Sequence, residues 1–467
     1  MSNVMRCQYC GLLQDEPKGV KQCQRCGGEL GYEHPSQPDQ TGSYLAAQLE
    51  LDQVCAPAGQ TVDRHLLVTL RTPPEVPAEH TAATESGRPP LHFNAVLDVS
   101  GSMRGEKLKQ TKESLRHALR ILQKEDRFSL AVFSDKVRNI FRPKSVDASF
   151  REKVEDALRD LRAGGTTALC GGLEQGVKNA LKKKSENNLV LLLSDGRANV
   201  GETDIEKVGM RSMQAHRKGL VVSTLGVGQD YNEALMTEIA IQGGGRYYHV
   251  QSSDQIVRYL TGELGEAAEL AARDVRIHLN IPPGAALIPL SAAYKAEIHD
   301  GQAIISIGDI PIDLEVEIPL RLTLFSNSAD ARLSIAGEVR YHTPAGVRLA
   351  TGLNRVTVRF VAADSFEQRA GVAVPVVERV AKQMRAAQVL KVSRAAARNV
   401  PEELAKAKQE QRRLRAYFAL LGEKAAERVS DELESDLRAV EARSPAAKHV
   451  TSTAFQSQRF MRNLDKK

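Results

Sequence analysis

A short run of oxygen-bearing residues directly follows a buried strand, and it constrains the fold of this chain more than any other feature. Residues 93–97 are mostly apolar and predict that strand, and residues 98–103 read Asp-Val-Ser-Gly-Ser-Met. Asp98, Ser100 and Ser102 therefore place one carboxylate and two hydroxyls where the strand ends, just before helix signals. In open α/β sheets, ligands bind at this carboxyl edge. Such hard oxygen donors suit Mg²⁺ and not a soft metal.

Two later segments carry matching chemistry. Residues 164–169 read Gly-Gly-Thr-Thr-Ala-Leu, which is a glycine-rich loop with two hydroxyls. Residues 189–196 read Leu-Val-Leu-Leu-Leu-Ser-Asp-Gly, a pattern typical of a buried parallel strand that ends in an acid and a turn glycine. The order of the three pieces resembles the von Willebrand factor A (VWA) family and its metal-ion-dependent adhesion site (MIDAS). The resemblance covers about residues 91–265.

The resemblance implies a set of metal ligands. These would be Asp98, Ser100, Ser102, Thr167 and Asp195. The three hydroxyls would bind Mg²⁺, and the two carboxylates would hold its waters or touch it directly. Thr167 is preferred because the residues after it fit the family spacing better, and Thr166 stays the alternative. The sixth coordination position would accept a carboxylate from a partner protein.

Two features near these pieces depart from the family pattern. Cys170 and Gly171 stand where relatives often carry a polar or acidic residue, and Arg197 places a cation two residues after Asp195. Neither departure removes a ligand. A surface Asp-Ser-Gly-Ser turn is the alternative for residues 98–102, and the agreement of three separated pieces disfavours it.

Composition limits the class of protein. A chain of 467 residues is too long for one core, which predicts about three domains. The net charge of +6 comes from interleaved basic and acidic residues, which is weak evidence for a nucleic-acid partner. The sequence has no run of 18 apolar residues, the length that would predict a membrane-spanning helix. The first residues lack the apolar core of a signal peptide, so we expect a cytoplasmic protein with reduced thiols.

Four cysteines near the start have the spacing of a zinc site. Cys7 and Cys10 form one Cys-x-x-Cys pair, Cys23 and Cys26 form a second, and a glycine follows each pair. This pattern predicts a zinc ribbon with a structural Zn²⁺, since four thiolates leave no open position for catalysis. Two disulfides are the alternative, and a reducing cytoplasm disfavours them. So short a segment needs the metal to fold.

Alternating apolar residues predict strands on both sides of the VWA segment. Leucines alternate along residues 45–51 and 66–70, and short alternating segments recur between residues 275 and 360. Two strands alone are too few to be stable. We therefore expect the early strands to pair with the later ones, so that a Rossmann-like, doubly wound VWA domain is inserted in a β-sandwich.

The last part of the chain has helical periodicity. Apolar stripes run through residues 376–387, 404–421 and 429–440, and Asn399 is a candidate N-cap. A bundle that buries its own stripes or packs on the sandwich is favoured over an arm that leaves one stripe for a partner. The predicted organisation is a zinc ribbon (1–31), a linker (32–43), sandwich strands (44–75), the VWA domain (91–268), the sandwich (269–362), a helical region (365–441) and a flexible tail (442–467).

The pattern favours binding over catalysis. The sequence has no Gly-x-Ser-x-Gly elbow, no His-Glu-x-x-His and no Walker loop. Cys55 and Cys170 have no evident activating base and are interpreted as structural, as is His249 in the last predicted VWA strand. The leading hypothesis is a Mg²⁺-dependent adaptor for a protein partner that presents Asp or Glu. The family resemblance also suggests work beside a MoxR-type AAA+ ATPase. A coat-like assembly protein and a zinc-ribbon nucleic-acid binder are the alternatives.

Overall fold

We describe the fold from a computed structural model of the chain. The structure describes residues 4–6, 13–15, 43–81, 90–182, 187–195, 199–228, 231–250, single positions between 255 and 264, 269–291, 294–366, 371–398, 401–442 and 446–458. The predicted zinc ligands Cys7, Cys10, Cys23 and Cys26 lie outside these described residues, so the ribbon stays a prediction.

Strands and helices are numbered in chain order. The strands are β1 (Val4–Arg6), β2 (Leu13–Asp15), β3 (Ala46–Leu51), β4 (Cys55–Pro57), β5 (Val62–Arg71), β6 (Leu91–Asp98), β7 (Arg127–Phe133), β8 (Val137–Ser145), β9 (Asn187–Ser194), β10 (Val221–Val227), β11 (Gly244–Val250), β12 (Leu270–Asn280), β13 (Ala285–Pro289), β14 (Lys295–His299), β15 (Gln302–Pro311), β16 (Glu315–Leu324), β17 (Arg332–His342) and β18 (Arg348–Val361). The described helices are α1 (Glu106–Ile121), α2 (Ala148–Asp160), α3 (Leu169–Lys182), α4 (Ile205–Arg217), α5 (Glu233–Gln242), α6 (Val374–Arg398), α7 (Pro401–Phe418), α8 (Glu423–Glu441) and α9 (Ala447–Gln458).

The chain divides into two compact units, and each unit is assembled from three segments. The first unit comprises Met1–His80, Ala271–Gln388 and Ala405–Ser435. The second unit comprises Thr81–Leu270, Val389–Leu404 and Asp436–Lys467. The main segment of the second unit therefore lies, in sequence, between strands of the first.

The first unit contains two larger sheets in addition to the β1–β2 pair. One sheet has the strand order β14-β15-β12-β17-β18-β4, and the other has the order β13-β16-β5-β3. Strand β5 pairs with β16 along its whole length, from Val62 opposite Leu324 to Arg71 opposite Glu315. Early and late strands therefore share a sheet, because β5 buries seven consecutive residues and needs neighbours on both sides.

The second unit is built on one sheet of order β11-β10-β9-β6-β7-β8. Strands β6, β7, β9, β10 and β11 run parallel, and β8 pairs antiparallel with β7 at the edge. The sequence did not predict β8, because its residues alternate only weakly between half-buried and exposed. All eight residues of β6 are buried, as expected for a central parallel strand.

A separate apolar core covers each face of this sheet. Phe93, Ala95 and Leu97 of β6 face one core, and Val96 faces the other. Helices α1 and α2 complete the first core through residues such as Leu115 and Phe150. The second core includes Leu173, Val208 and Ile239 from helices α3, α4 and α5. Helices on both faces of a parallel sheet define a doubly wound, Rossmann-like α/β fold.

The C-terminal helices differ from the prediction in one respect. Residues from 444 onward were expected to be flexible, yet Ala447–Gln458 form helix α9. Phe455 of α9 is 1% exposed, and its ring meets Tyr247 edge-on at 5.9 Å between centroids. The buried stripe also contains Thr451 and Ser452, so its polar composition concealed the amphipathic pattern.

Candidate metal site

The sheet of the second unit brings two strand ends together where the direction of winding reverses. From β6 the chain continues to β7 on one side, whereas β9 lies on the other side and continues to β10. Leu97 pairs with Leu193, so Asp98 and Asp195 follow neighbouring strands at the same carboxyl edge. This is the topological switch point at which doubly wound folds bind ligands.

Asp98 is fully buried and is held by two hydroxyl-bearing residues. Its Oδ1 accepts a hydrogen bond from the Ser100 amide at 2.8 Å, and its Oδ2 accepts one from the Ser194 hydroxyl at 2.5 Å. Burial raises the pKa of Asp98 above its usual value, these hydrogen bonds oppose the rise, and the nearby Asp195 adds to it. A divalent cation would offset the cost of burying this carboxylate.

The two serines converge with Asp195. The hydroxyls of Ser100 and Ser102 lie 3.0 Å apart, and Ser102 donates to Asp195 Oδ1 at 2.8 Å. Adjacent ligands of an octahedral Mg²⁺ are also about 3.0 Å apart, because each lies about 2.1 Å from the ion. The spacing of these three oxygens therefore suits a small hard cation.

The glycine-rich loop is fastened to the first loop by backbone hydrogen bonds. The Gly101 amide donates to the Gly165 carbonyl at 3.0 Å, and the Gly164 amide donates to the Val99 carbonyl at 2.8 Å. Gly165 has φ +80°, and a Cβ there would lie 2.1 Å from Asp135 Oδ1. Only glycine tolerates both this positive φ and the close contact with Asp135, so Gly165 fixes the path of the loop.

Thr167 and Thr166 differ in their surroundings. Thr167 is 4% exposed, whereas Thr166 is exposed. The Thr167 amide donates to Asn199 Oδ1 at 2.8 Å, and the Thr167 carbonyl accepts from the Asn199 amide at 3.2 Å. Asn199 thus holds the loop that carries Thr167, which supports Thr167 over its neighbour as the ligand.

A lysine contacts the site from the first turn of α1. The ammonium of Lys107 forms an ion pair with Asp195 Oδ2, and Asp195 is fully buried. The side chain of Lys107 is 30% exposed. The negative charge of Asp195 is therefore balanced by the ammonium of Lys107, as expected for a site that favours positive charge.

The sequence did not indicate a role for three residues near the site, namely Lys107, Ser194 and Asn199. Ser194 immediately precedes Asp195, and Lys107 lies in the helical turn after the Asp-x-Ser-x-Ser run, so proximity was the available signal for both. Asn199 had no signal, because no local sequence pattern links it to Thr167. Arg197 lies outside the described residues.

The oxygens at this edge fit a magnesium-type metal. The donors are carboxylates and hydroxyls, with no sulfur and no imidazole among the predicted ligands. No three His, Cys, Asp or Glu side chains among the described residues cluster closely enough to hold a metal ion, and this site offers two carboxylates together with hydroxyls. When bound, such a metal would attract an additional anionic oxygen.

The described cysteines do not form a reactive site. Cys55 and Cys170 are buried, and neither forms a disulfide with another described residue. Burial raises the pKa of the Cys170 thiol, and Glu174 raises it further. The thiolate that nucleophilic catalysis needs is therefore disfavoured there.

Comparison with known families identifies the class of protein. Residues 94–262 match the family model of the von Willebrand factor type A domain. Residues 94–262 are therefore similar to a VWA domain, in agreement with the doubly wound, mixed α/β fold of the second unit. The β-sandwich, the zinc ribbon and the domain limits stay predictions.

Individual relatives match part of the chain. It is 28% identical over 242 residues to the uncharacterized protein YfbK of Escherichia coli, covering 50% of this chain and 42% of YfbK. It is 26% identical over 224 residues to inter-alpha-trypsin inhibitor heavy chain H1 of Mesocricetus auratus, covering 46% of this chain and 24% of that protein. The chain therefore aligns with less than half the length of either relative.

Two solved structures share the fold over most of the chain. A von Willebrand factor type A protein from Catenulispora acidiphila superposes with a TM-score of 0.62 at 17% identity, covering 91% of this chain and 99% of that one. The ArnB paralog VWA2 from Sulfolobus acidocaldarius gives 0.57 at 16% identity, covering 89% and 98%. At these identities the likeness shows the fold alone. Among the helices described here, none has the length and apolar composition needed to cross a membrane.

Proposed function

We propose that this protein binds a partner protein through a divalent metal, with Mg²⁺ as the natural ion. Asp98, Ser100, Ser102, Thr167 and Asp195 would hold the metal. The observation that supports this most is the convergence of Ser100, Ser102 and Asp195 at 2.8–3.0 Å beside the end of the central strand. An Asp or Glu of the partner would complete the coordination.

The mechanism follows from charge. The three hydroxyl ligands are neutral, and Asp98 and Asp195 would hold the metal's waters or touch it directly. Where the carboxylates act through water, only neutral ligands would touch the dication, which would then keep a strong attraction for one more carboxylate. Ser102 is an exposed residue, so it would lie on the side that the partner approaches. A MoxR-type AAA+ ATPase as the partner stays a prediction of the family resemblance.

The first test is metal binding by the purified protein. The variant Asp98→Ala, Ser100→Ala removes two proposed ligands, and we expect calorimetry with Mg²⁺ or Mn²⁺ to show loss of binding. The control Asp364→Ala, Ser365→Ala removes the same residue types from exposed positions of a 3₁₀ turn in the first unit, outside the proposed ligand set, and should bind as the wild type. Unchanged metal binding in the first variant would contradict the assignment.

The second test is metal-dependent capture of partners. In Mg²⁺ buffer, the wild type and the control should retain a partner that the Asp98→Ala, Ser100→Ala variant loses. If metal binding is lost but the captured proteins are the same, the metal does not dock the partner. That outcome would favour the alternative hypothesis that this chain is a coat-like assembly protein, which would use its sheets and helices as the interface.

A further inference from the structure

A cleft lined by basic residues lies in the second unit between α1 and the C-terminal end of α2. Its volume is about 410 Å³, within the range of small-molecule sites. The basic residues that line it are Arg104, Lys109, Lys112, Arg116, Arg159 and Arg162. Leu108, Leu161 and Ala163 supply apolar surface, and no carboxylate is part of the lining.

Half of these cations have carboxylate partners outside the lining. Arg116 pairs with Glu155 at 2.7 Å, and Arg159 pairs with Asp156 at 3.2 Å on the surface of α2. Lys109 approaches Glu106 at 3.7 Å. The last two pairs are exposed, and exposed pairs of this kind contribute little and exchange readily with another anion.

The other cations have no carboxylate within ion-pair distance in the described part of the chain. Lys112 donates to the Leu161 carbonyl at 2.7 Å, and Arg162 donates to the Arg159 carbonyl at 2.7 Å. These bonds satisfy the last carbonyls of α2, so they explain part of the cluster as helix capping. These carbonyls carry only partial negative charge, so most of the positive charge of Lys112 and Arg162 stays unbalanced. The hydrogen bonds also hold the two side chains in place.

The crowding has an electrostatic consequence. Partial burial lowers the pKa of Lys112, and the neighbouring Arg162 and Arg116 lower it further. Asp160 acts in the opposite direction without cancelling the effect. A group of cations that repel one another in this way is stabilised when an anion binds between them.

The N-terminus of α1 adds to the same potential. Gly105 precedes the helix, has φ +82° and offers no side chain to accept from the first amides. Gly105 and Arg104 both line the cleft. The helix dipole there favours an anion, independently of the side chains.

We propose that this cleft binds a small organic phosphate of about mononucleotide size. Its phosphate groups would lie among Arg104, Arg159 and Arg162, and its less polar part would contact Leu108 and Leu161. Guanidinium groups match phosphate oxygens in pairs, which favours phosphate over a single carboxylate. The limited volume favours a small molecule over an extended polymer.

The test uses the full chain in buffer without added divalent metal, with ATP and pyrophosphate as probes and adenosine as the control ligand. We expect calorimetry to detect binding of at least one phosphate probe and none of adenosine. The variant Arg104→Gln, Arg159→Gln should weaken that binding at least tenfold. The variant Arg138→Gln, Arg142→Gln removes the same charge from exposed positions of β8 and should bind as the wild type.

Three results would overturn the proposal. One is that neither phosphate probe binds. Another is that both double variants weaken binding equally, which would indicate a general effect of net charge. The third is that a single-stranded oligonucleotide binds more tightly than ATP and displaces it, which would assign the basic surface to nucleic acid. Thermal unfolding of both variants checks that these exposed substitutions leave the fold intact.

Discussion

The ammonium of Lys107 forms an ion pair with the buried carboxylate of Asp195, at the place where the neighbouring oxygens suit a metal ion. A lysine in this position has two opposing effects. It balances the charge of Asp195 when no metal is bound, and it repels a divalent cation that approaches the same oxygens. Lys107 would therefore limit metal affinity while stabilising the metal-free protein.

Replacing Lys107 should separate these effects. We expect Lys107→Met to raise Mg²⁺ affinity about tenfold in calorimetry, which corresponds to about 1.4 kcal/mol. The same variant should be less stable without metal by about 1–3 kcal/mol, because Asp195 loses its counter-ion. Added Mg²⁺ should then raise its melting temperature more than it raises that of the wild type. Lys109→Met, on the exposed side of the same helix, is the control, and equal effects in both variants would contradict this account.

The two adjacent threonines offer a matched comparison. Thr167→Ala should weaken metal binding about tenfold, because one proposed ligand is lost. Thr166→Ala removes an exposed hydroxyl one residue away and should leave affinity unchanged. Asn199→Ala, which frees the Thr167 loop, should give an intermediate loss. The measurement is calorimetry with Mg²⁺, and a larger effect of Thr166 would move the ligand to that residue.

Substitution of Gly165 would show how strongly this residue stabilises the glycine-rich loop. Gly165→Ala should lower the free energy of unfolding by about 2 kcal/mol or more, because its φ is +80° and the new Cβ would meet Asp135. Gly164→Ala is the control, since no atom lies within 4 Å of a Cβ there and its φ is not positive. Denaturant unfolding measures both. The double variant Gly165→Ala, Asp135→Ala should recover part of the loss by removing the clash.

His249 should make the second unit sensitive to acid. Its Nδ1 lies 2.6 Å from the Tyr231 hydroxyl. Burial, with Lys448 and His449 nearby, lowers the pKa of His249 to about 4. In the unfolded chain the pKa of a histidine is about 6.5. Below that pH the unfolded chain therefore binds one more proton than the folded protein, and the free energy of unfolding falls until about pH 4.

The expected loss for His249 is about 1–2 kcal/mol, allowing for partial solvent contact. Hydrogen exchange of peptides covering β11, followed from pH 7 to pH 4 and corrected for intrinsic exchange, should show this destabilisation. His249→Gln should flatten the dependence. An exposed histidine variant, His299→Gln, should not, and a wild-type profile without slope in this window would refute the prediction.

The sequence predicted the parts of the structure that depend on local patterns. The continuous apolar residues of β6 and β9 predicted buried parallel strands, and the acids that follow them predicted the edge at which Asp98 and Asp195 lie. The sequence did not predict β8 or α9. Strand β8 is an edge strand with a weak pattern, and α9 buries a stripe that includes polar residues whose partners are far away in sequence.

The sequence alone predicted a doubly wound α/β domain of VWA type, and it predicted which hydroxyls and carboxylates would lie at its carboxyl edge. The order of the motifs along the chain and the apolar periodicity lie in short stretches of sequence, so they could be recognised directly. Only the tertiary structure decided that Asn199 holds Thr167, that Lys107 balances Asp195 and that six basic residues, four in α1 and α2 and two beside them, line one cleft. These relationships join residues distant in sequence. They depend on side-chain distances, which no local pattern encodes.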